Sequence, residues 1–492
     1  MNTVLNTFQK YYGEVRSFFD RSSVKLPDNQ SKKKKKFVFN KDFGIDDIAE
    51  SNISDKIIIP DFRRSATFPE LMETFTKASL KLNPAPISTG NITKEPRIIM
   101  PMKSGIDAAQ LISSVGYRSE THTVLTSDGY MLTMQRILPE SEDTPKQAIL
   151  LHHGLLGSSE DWLLLGPGLS LPFLLVDKGY DVWLLNARGN KYSKGHTVWY
   201  TESYDFWDFS FHEMGIYDLP ATITYISEYT NDADLYFIGH SMGASALLAL
   251  LSTLPEYNEM LKAAFFLAPL AFVKHAKGPM KQFSVIRRKK GISALSFLGT
   301  NDFLPNGAFP QDIVEKFCKG SERLCLNPVL LLTNGGEIGD DDLMDNILAH
   351  VPAGGSAMTI LHYIQLVKSG RFQMYDYGVQ GNLNKYKRKH PPVYDLAEIT
   401  LPISLFSSPS DWLSSMSDVK TLLTKLKNIY IHHVVRRDDF SHMDFVWAKD
   451  APELVFSPLL EILDQIAPMK DKRKNNLPSL AQPTDEISAE DE

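Results

Sequence analysis

A serine hydroxyl attacks an ester only when a base takes its proton and a carboxylate orients that base. Three residues of this chain have the types and the order for such chemistry: Ser241, Asp411 and His442. Ser241 lies in Gly239-His240-Ser241-Met242-Gly243. This Gly-x-Ser-x-Gly pattern exposes a nucleophile on a sharp turn between a strand and a helix. So tight a turn leaves no room for a Cβ two residues either side of the serine, and both positions are glycine. Asp411 lies in Ser407-Ser408-Pro409-Ser410-Asp411-Trp412-Leu413, behind the apolar run 403–406. His442 lies in Phe440-Ser441-His442-Met443-Asp444, behind the run 429–435. Asp418 is a rival acid but is placed at the start of the next helix, and His432 and His433 fall inside a strand. The negative charge that develops on an ester oxygen also needs aimed donors. The backbone N–H of Met242 is one candidate. The N–H of Leu155, in the loop His152-His153-Gly154-Leu155-Leu156-Gly157, is the other.

To bring these loops together, several strands must end at one edge of a sheet. The run 235–238 precedes the Ser241 turn, and an Ala/Leu-rich stretch of helical length follows it. The stretch 235–255 carries no Asp, Glu, Lys or Arg, but His240, serines and glycines interrupt it, so a buried strand and helix explain it. Residues 121–125 and 130–137, joined by Ser127-Asp128-Gly129, read as a hairpin. Apolar strands follow at 148–151, 181–185 and 263–268, and residues 211–230 are helical. Strands alternating with helices predict an α/β fold with a mostly parallel sheet and helices on both faces. Between 272 and 390 the alternation is lost in a Phe-, Leu- and Met-rich stretch, read as an insertion over the top of the sheet. It resumes at 403–406 and 429–435 and ends in a helix at 452–466. The reading is therefore a core in two parts, 106–271 and 391–468, a cap or lid insertion at 272–390, and a polar, disordered tail at 469–492.

Residues 1–105 differ from the rest. Val4, Leu5, Phe8, Tyr11, Tyr12, Val15, Phe18 and Phe19 recur at helical spacing, and Lys32 to Lys36 follow. Prolines punctuate the remainder of this extension, which shows no second core. An apolar helix face plus a polybasic run supplies the two signals that stable peripheral binding needs, so residues 1–40 are a candidate contact with a membrane or lipid-droplet surface. Packing on the core, a solvated linker or a nuclear address are the rival uses.

The 492 residues are 43% hydrophobic and 23% charged, with net charge −7, which points away from nucleic acid as a partner. Cys318 and Cys325 are too few for a disulfide framework and have no metal-binding spacing. Lys10, Glu14 and Arg16 break up the first twenty residues before the apolar core of a secretory signal can form.

Six motifs occur together: Gly-His-Ser-x-Gly, His-Gly-Leu-Leu (153–156), Asn-x-Arg-Gly-Asn (186–190), Phe-Trp-x-Phe-Ser-Phe-x-Glu-Met (206–214), Tyr-Asp-Leu-Pro-Ala-Thr-Ile (217–223) and His-x-Asp-Phe-x-Trp (442–447). Jointly they resemble the acid lipase family, which includes gastric and lysosomal acid lipases and related steryl ester hydrolases. The resemblance covers residues 106–467. It implies an α/β-hydrolase core with a cap, acting without a cofactor or metal on neutral lipid esters, triacylglycerols or steryl esters. It also implies Ser241, Asp411 and His442 as the triad, with Leu155 and Met242 as oxyanion donors. Acyl transfer on the same triad and a non-catalytic lipid-binding scaffold are the alternatives. The sequence departs from the family in four places. Met242 stands where relatives often have Gln, Ser408-Pro409 replaces Gly-Gly before the acid, and the two cysteines lie closer than a disulfide pair known in relatives. The fourth is the start of the chain. Relatives imply a secreted or lysosomal location, whereas a start without a visible signal peptide leaves a cytoplasmic or membrane-peripheral one open.

Overall fold

The strands Ala148–His152, Asp181–Leu185, Leu235–His240 and Ile403–Ser407 are buried at every residue, as strands covered on both faces must be. The computed structural model describes residues 106–138, 147–230, 234–285, 328–333 and 341–466. The expectations that fall on residues 1–105 and on the tail, and both cysteines, lie outside them.

In chain order, α1 (Ala108–Ser114) leads into the hairpin β1 (Arg118–Leu125) and β2 (Tyr130–Leu138). There follow β3 (Ala148–His152), α2 (Leu171–Asp177), β4 (Asp181–Leu185) and the short β5 (Gly195–His196). Helix α3 runs through Phe211–Glu213, a π turn Met214–Asp218 and Leu219–Thr230. Then come β6 (Leu235–His240), α4 (Met242–Thr253) and β7 (Leu261–Leu267). Between β7 and β8 the described helices are α5 (Gly278–Val285), α6 (Pro328–Thr333), α7 (Asp341–His350), α8 (Ala357–Ser369) and α9 (Gly378–Tyr386). The chain then returns through β8 (Ile403–Ser407), α10 (Met416–Lys425), β9 (Ile429–Val434), α11 (Asp444–Trp447) and α12 (Ser457–Ile466).

The sheet order is β1-β2-β4-β3-β6-β7-β8-β9, with β5 beside β2. Pairing is antiparallel from β1 to β4 and parallel from β4 to β9. Neighbouring parallel strands therefore run out at the same edge, and the loops after β3, β6, β8 and β9 open there. The hairpin turn closes at Gly129, whose φ of 102° suits glycine. Helices α3 and α4 touch at backbone distance: a Cβ on Gly215 would sit 2.5 Å from the Ala246 carbonyl oxygen. The π turn brings that glycine to the contact. No described helix is long and apolar enough to cross a membrane.

Candidate active site

Strand β6 delivers Ser241 at the centre of the sheet edge. The serine takes φ 55° and ψ −110°, a backbone conformation that L residues avoid and that costs on the order of 1–3 kcal/mol. Its surroundings hold it there. Its N–H donates to the Leu267 carbonyl at 2.9 Å, and α4, buried from Met242 to Leu251, starts at the next residue. The flanking glycines are required by space. A Cβ on Gly239 would lie 2.7 Å from the Phe237 ring, and one on Gly243 would lie 2.5 Å from the His152 carbonyl oxygen.

The Ser241 hydroxyl sits 2.7 Å from His442 Nε2, and His442 Nδ1 sits 2.7 Å from Asp411 Oδ2. The other carboxylate oxygen, Oδ1, accepts from the N–H groups of Leu413 (2.7 Å) and Ser414 (2.8 Å), which fixes the plane of that carboxylate. All three side chains are almost wholly buried. The loop carrying His442 is shaped by side chains. Ser441 N–H donates to Asp444 Oδ2 at 2.5 Å, Arg437 reaches the same oxygen at 3.1 Å, and the Ser408 hydroxyl donates to the Phe440 carbonyl at 2.6 Å. His240, the residue before Ser241, places Nε2 3.0 Å from the His442 carbonyl oxygen. Burial, and then the neighbouring His442, push His240 down to about 3, so the ring is neutral and its Nε2–H donates.

The rivals sit elsewhere. Asp418 is in the first turn of α10 and binds its cap Ser415 and the backbone and ring of His275. His432 meets the Ser407 hydroxyl, and His433 meets the Leu454 carbonyl.

Leu155 and Met242 line one small cavity, together with His153, Asn190, Ser356 and Thr359 among others. Gly154 presses on the Ser241 turn, since a Cβ there would stand 2.9 Å from His240 Nδ1 and 3.3 Å from Ser241 Cβ. His153 braces the loop from within. Its Nδ1 donates to the Gly154 carbonyl at 2.7 Å and its Nε2 accepts from Ala187 N–H at 3.1 Å, a role open only to a neutral ring, and burial pushes it down to about 3. Asn186 ties the same region to Ser159, Gln135 and Asn190. Arg188 is fully buried between Asp128 and Asp218. Burial alone would lower its pKa, but the two carboxylates more than reverse that. The segment after α7 closes over this edge: Ala353 N–H donates to the Leu156 carbonyl at 2.7 Å, and Lys191 N–H to the Ala353 carbonyl at 2.8 Å.

The family described as "Partial alpha/beta-hydrolase lipase region" matches residues 108–166, and that described as "alpha/beta hydrolase fold" matches 147–449. Gastric triacylglycerol lipase of Bos taurus is 36% identical over 383 residues, covering 76% of this chain and 94% of the relative. Lipase 3 of Drosophila melanogaster is 36% identical over 365 residues, covering 72% and 92%. Lipase member K of Homo sapiens is 35% identical over 373, covering 74% and 92%. The chain belongs to the acid lipase family. It is an ester-hydrolysing lipase on an α/β-hydrolase fold.

Within this lipase, Ser408, one of the departures from the family pattern, acquires a visible role by tying the loop of Asp411 to the loop of His442. Sequence reasoning singled out neither that tie nor those made by His240, His153, Arg437 and Asp444. His153, His240 and Asp444 do lie inside the quoted motifs, and a buried histidine beside a glycine turn was the available signal.

Proposed function

We propose that Ser241 is the nucleophile, His442 the general base and then general acid, and Asp411 the residue that orients and stabilises it. The observation that carries this reading is the unbroken relay of two 2.7 Å contacts ending on a serine in a strained turn. In it, the Ser241 hydroxyl proton passes to His442 Nε2 as Oγ bonds to the ester carbonyl carbon. The tetrahedral oxyanion points at the N–H groups of Leu155 and Met242. Collapse expels the alcohol, which takes its proton from His442, and leaves an acyl-serine. Water, deprotonated by His442, then releases the fatty acid and restores the serine.

The substrate class is neutral lipid ester, triacylglycerol or steryl ester. The names of the relatives support it. Ser241 is 2% exposed, and residues 351–356 lie over the loop after β3, so an ester reaches the serine only when part of its cover moves. Ser241→Ala tests the mechanism, because a methyl group fits the turn. The variant should fold like its parent and lose several orders of magnitude in ester turnover and all labelling by a fluorophosphonate. Equal turnover by variant and parent would overturn the assignment. A panel of esters varied in acyl chain and alcohol then resolves the preferred substrate, and added alcohol separates hydrolysis from acyl transfer.

A second, independent reading concerns where the enzyme works. Residues 1–40 carry an aromatic helical pattern followed by Lys32 to Lys36, and they hold the lipase at a membrane or lipid-droplet surface. Co-sedimentation with anionic vesicles should fall in a chain starting near Asn40, most clearly at low salt. Equal sedimentation of both proteins would refute this.

A further inference from the structure

The side chains around the cavity that Leu155 and Met242 line are almost all engaged. His153 binds Gly154 and Ala187, and Asn190 binds Gly157 and Asn186. Arg188 binds its two carboxylates, and Ser356 caps α8 while donating to the Trp207 carbonyl. Thr359 stands apart. It is 1% exposed, it lines the same cavity, and its Oγ1 has no hydrogen-bond partner.

A threonine in a helix normally returns its hydroxyl to a carbonyl three or four residues back. Other buried helical threonines of this protein do so: Thr222 bonds the Asp218 carbonyl at 2.9 Å, and Thr333 bonds the Val329 carbonyl at 2.8 Å. Thr359, in the first turn of α8, makes no such bond. Buried hydroxyls left unpaired are uncommon, and each one calls for an explanation. Valine has the same shape and would remove the unpaired group, so folding gives no reason for the hydroxyl. A ligand gives one. Two helix starts already face this cavity, α4 at Met242 and α8 at Thr359, and helix starts favour negative charge.

We propose that Thr359 is a substrate-contacting residue whose hydroxyl donates a hydrogen bond to the ester carbonyl oxygen as it becomes an oxyanion, beside the N–H groups of Leu155 and Met242. This rests on the nucleophile and oxyanion reading above and adds a side-chain donor to it. A donor that acts on the oxyanion more than on the neutral carbonyl changes kcat more than KM.

The test uses the full-length enzyme, a soluble short-chain ester, and the variants Thr359→Val and Thr359→Ser. Thr359→Val should lower kcat ten- to a hundredfold with KM nearly unchanged. Affinity for a trifluoromethyl ketone, whose adduct with serine carries the oxyanion, should weaken by a similar factor. The melting temperature of Thr359→Val should equal or exceed the parent's, and Thr359→Ser should recover most of kcat. Parental kcat and inhibitor affinity in Thr359→Val would overturn the proposal, with the hydroxyl then binding only a water. Parallel losses of kcat and melting temperature that serine does not repair would also overturn it, as a structural role. Fluorophosphonate labelling of the parent at Ser241 reads the nucleophile separately, so a failure of that assignment is distinguishable from a failure here.

Discussion

Ser241 and His442 meet at 2.7 Å, yet the two sides of that contact are built by different means. Ser241 is held by backbone: a strand end, a positive φ, two glycines and a helix start. His442 sits on a loop whose shape comes from side chains, with Asp444 and Arg437 on one flank and Ser408 and His240 on the other. A backbone-built position is rigid and intolerant of any added atom. A side-chain-built position can be weakened by degrees, one hydrogen bond at a time. The difference also governs what each side gives away in sequence. Glycines that leave no room for a Cβ write a short local pattern, whereas hydrogen bonds between distant side chains write none.

The largest effect should come from the acid. Asp411→Asn keeps the shape of the side chain but can no longer accept the His442 Nδ1 proton without exchanging its amide, and an amide cannot balance the imidazolium. Activity should fall on the order of 10⁴-fold. Asp418→Asn should change it only a few-fold, since Asp418 serves the start of α10 and the His275 contact. Steady-state turnover of both variants decides the matter, and the reverse ranking would place the acid at Asp418.

Next is the backbone-built side. Gly243→Ala puts a methyl group 2.5 Å from the His152 carbonyl, and neither the end of β3 nor the start of α4 can retreat without moving Ser241. Overpacking of this kind costs about 1–3 kcal/mol. The stability read from urea unfolding should drop by that amount, and turnover should drop with it. Parental values for both would show that the turn is softer than its geometry suggests.

On the side-chain-built flank the loss should be smaller. Asp444→Ala removes the acceptor of Ser441 N–H and leaves Arg437 with Asp439 and Asp450. The His442 loop then loosens without collapsing, because Ser408 and His240 still hold it. A fall in kcat of about tenfold, or about 1.4 kcal/mol of barrier, with little change in KM is expected. A drop as deep as that of Asp411→Asn would mean that the flank has no redundancy.

The same contrast explains how far the sequence could be read. The strands at 148–151, 181–185 and 403–406 were legible because both faces are covered and the runs are uniformly apolar or nearly so. The position of Asp411 was legible because its loop follows such a strand, and that of His442 because its loop follows the half-exposed edge strand β9 in the expected order. The bond from Ser408 to Phe440 spans 32 residues, and that from His240 to His442 spans 202. Neither leaves a local signal, so both sets of braces surfaced only in three dimensions. Thr359 was hidden for the same reason: it reaches the cavity only because the chain between β7 and β8 folds back over the loop after β3.

The smallest effect on turnover probes the one residue that belongs to both sides. His240 is part of the elbow in sequence, but it braces the His442 loop with its ring. Burial depresses its pKa from 6.5 to about 3. Below pH 6.5 the unfolded chain therefore binds a proton that the folded ring refuses. The stability that His240 contributes is present above pH 6.5 and is lost as pH falls toward about 3. Each pH unit in that window is worth about 1.4 kcal/mol for a group titrating alone. A glutamine in its place could still donate to the His442 carbonyl but has no proton to gain. His240→Gln should therefore keep most activity at pH 7, and its urea midpoint should decline less steeply than the parent's between pH 6.5 and pH 5. Over that interval the stability difference between the two proteins should change by about 2 kcal/mol in favour of the variant. Parallel declines would mean that the ring takes up its proton in the folded state as readily as in the unfolded one, and that the brace survives on an imidazolium.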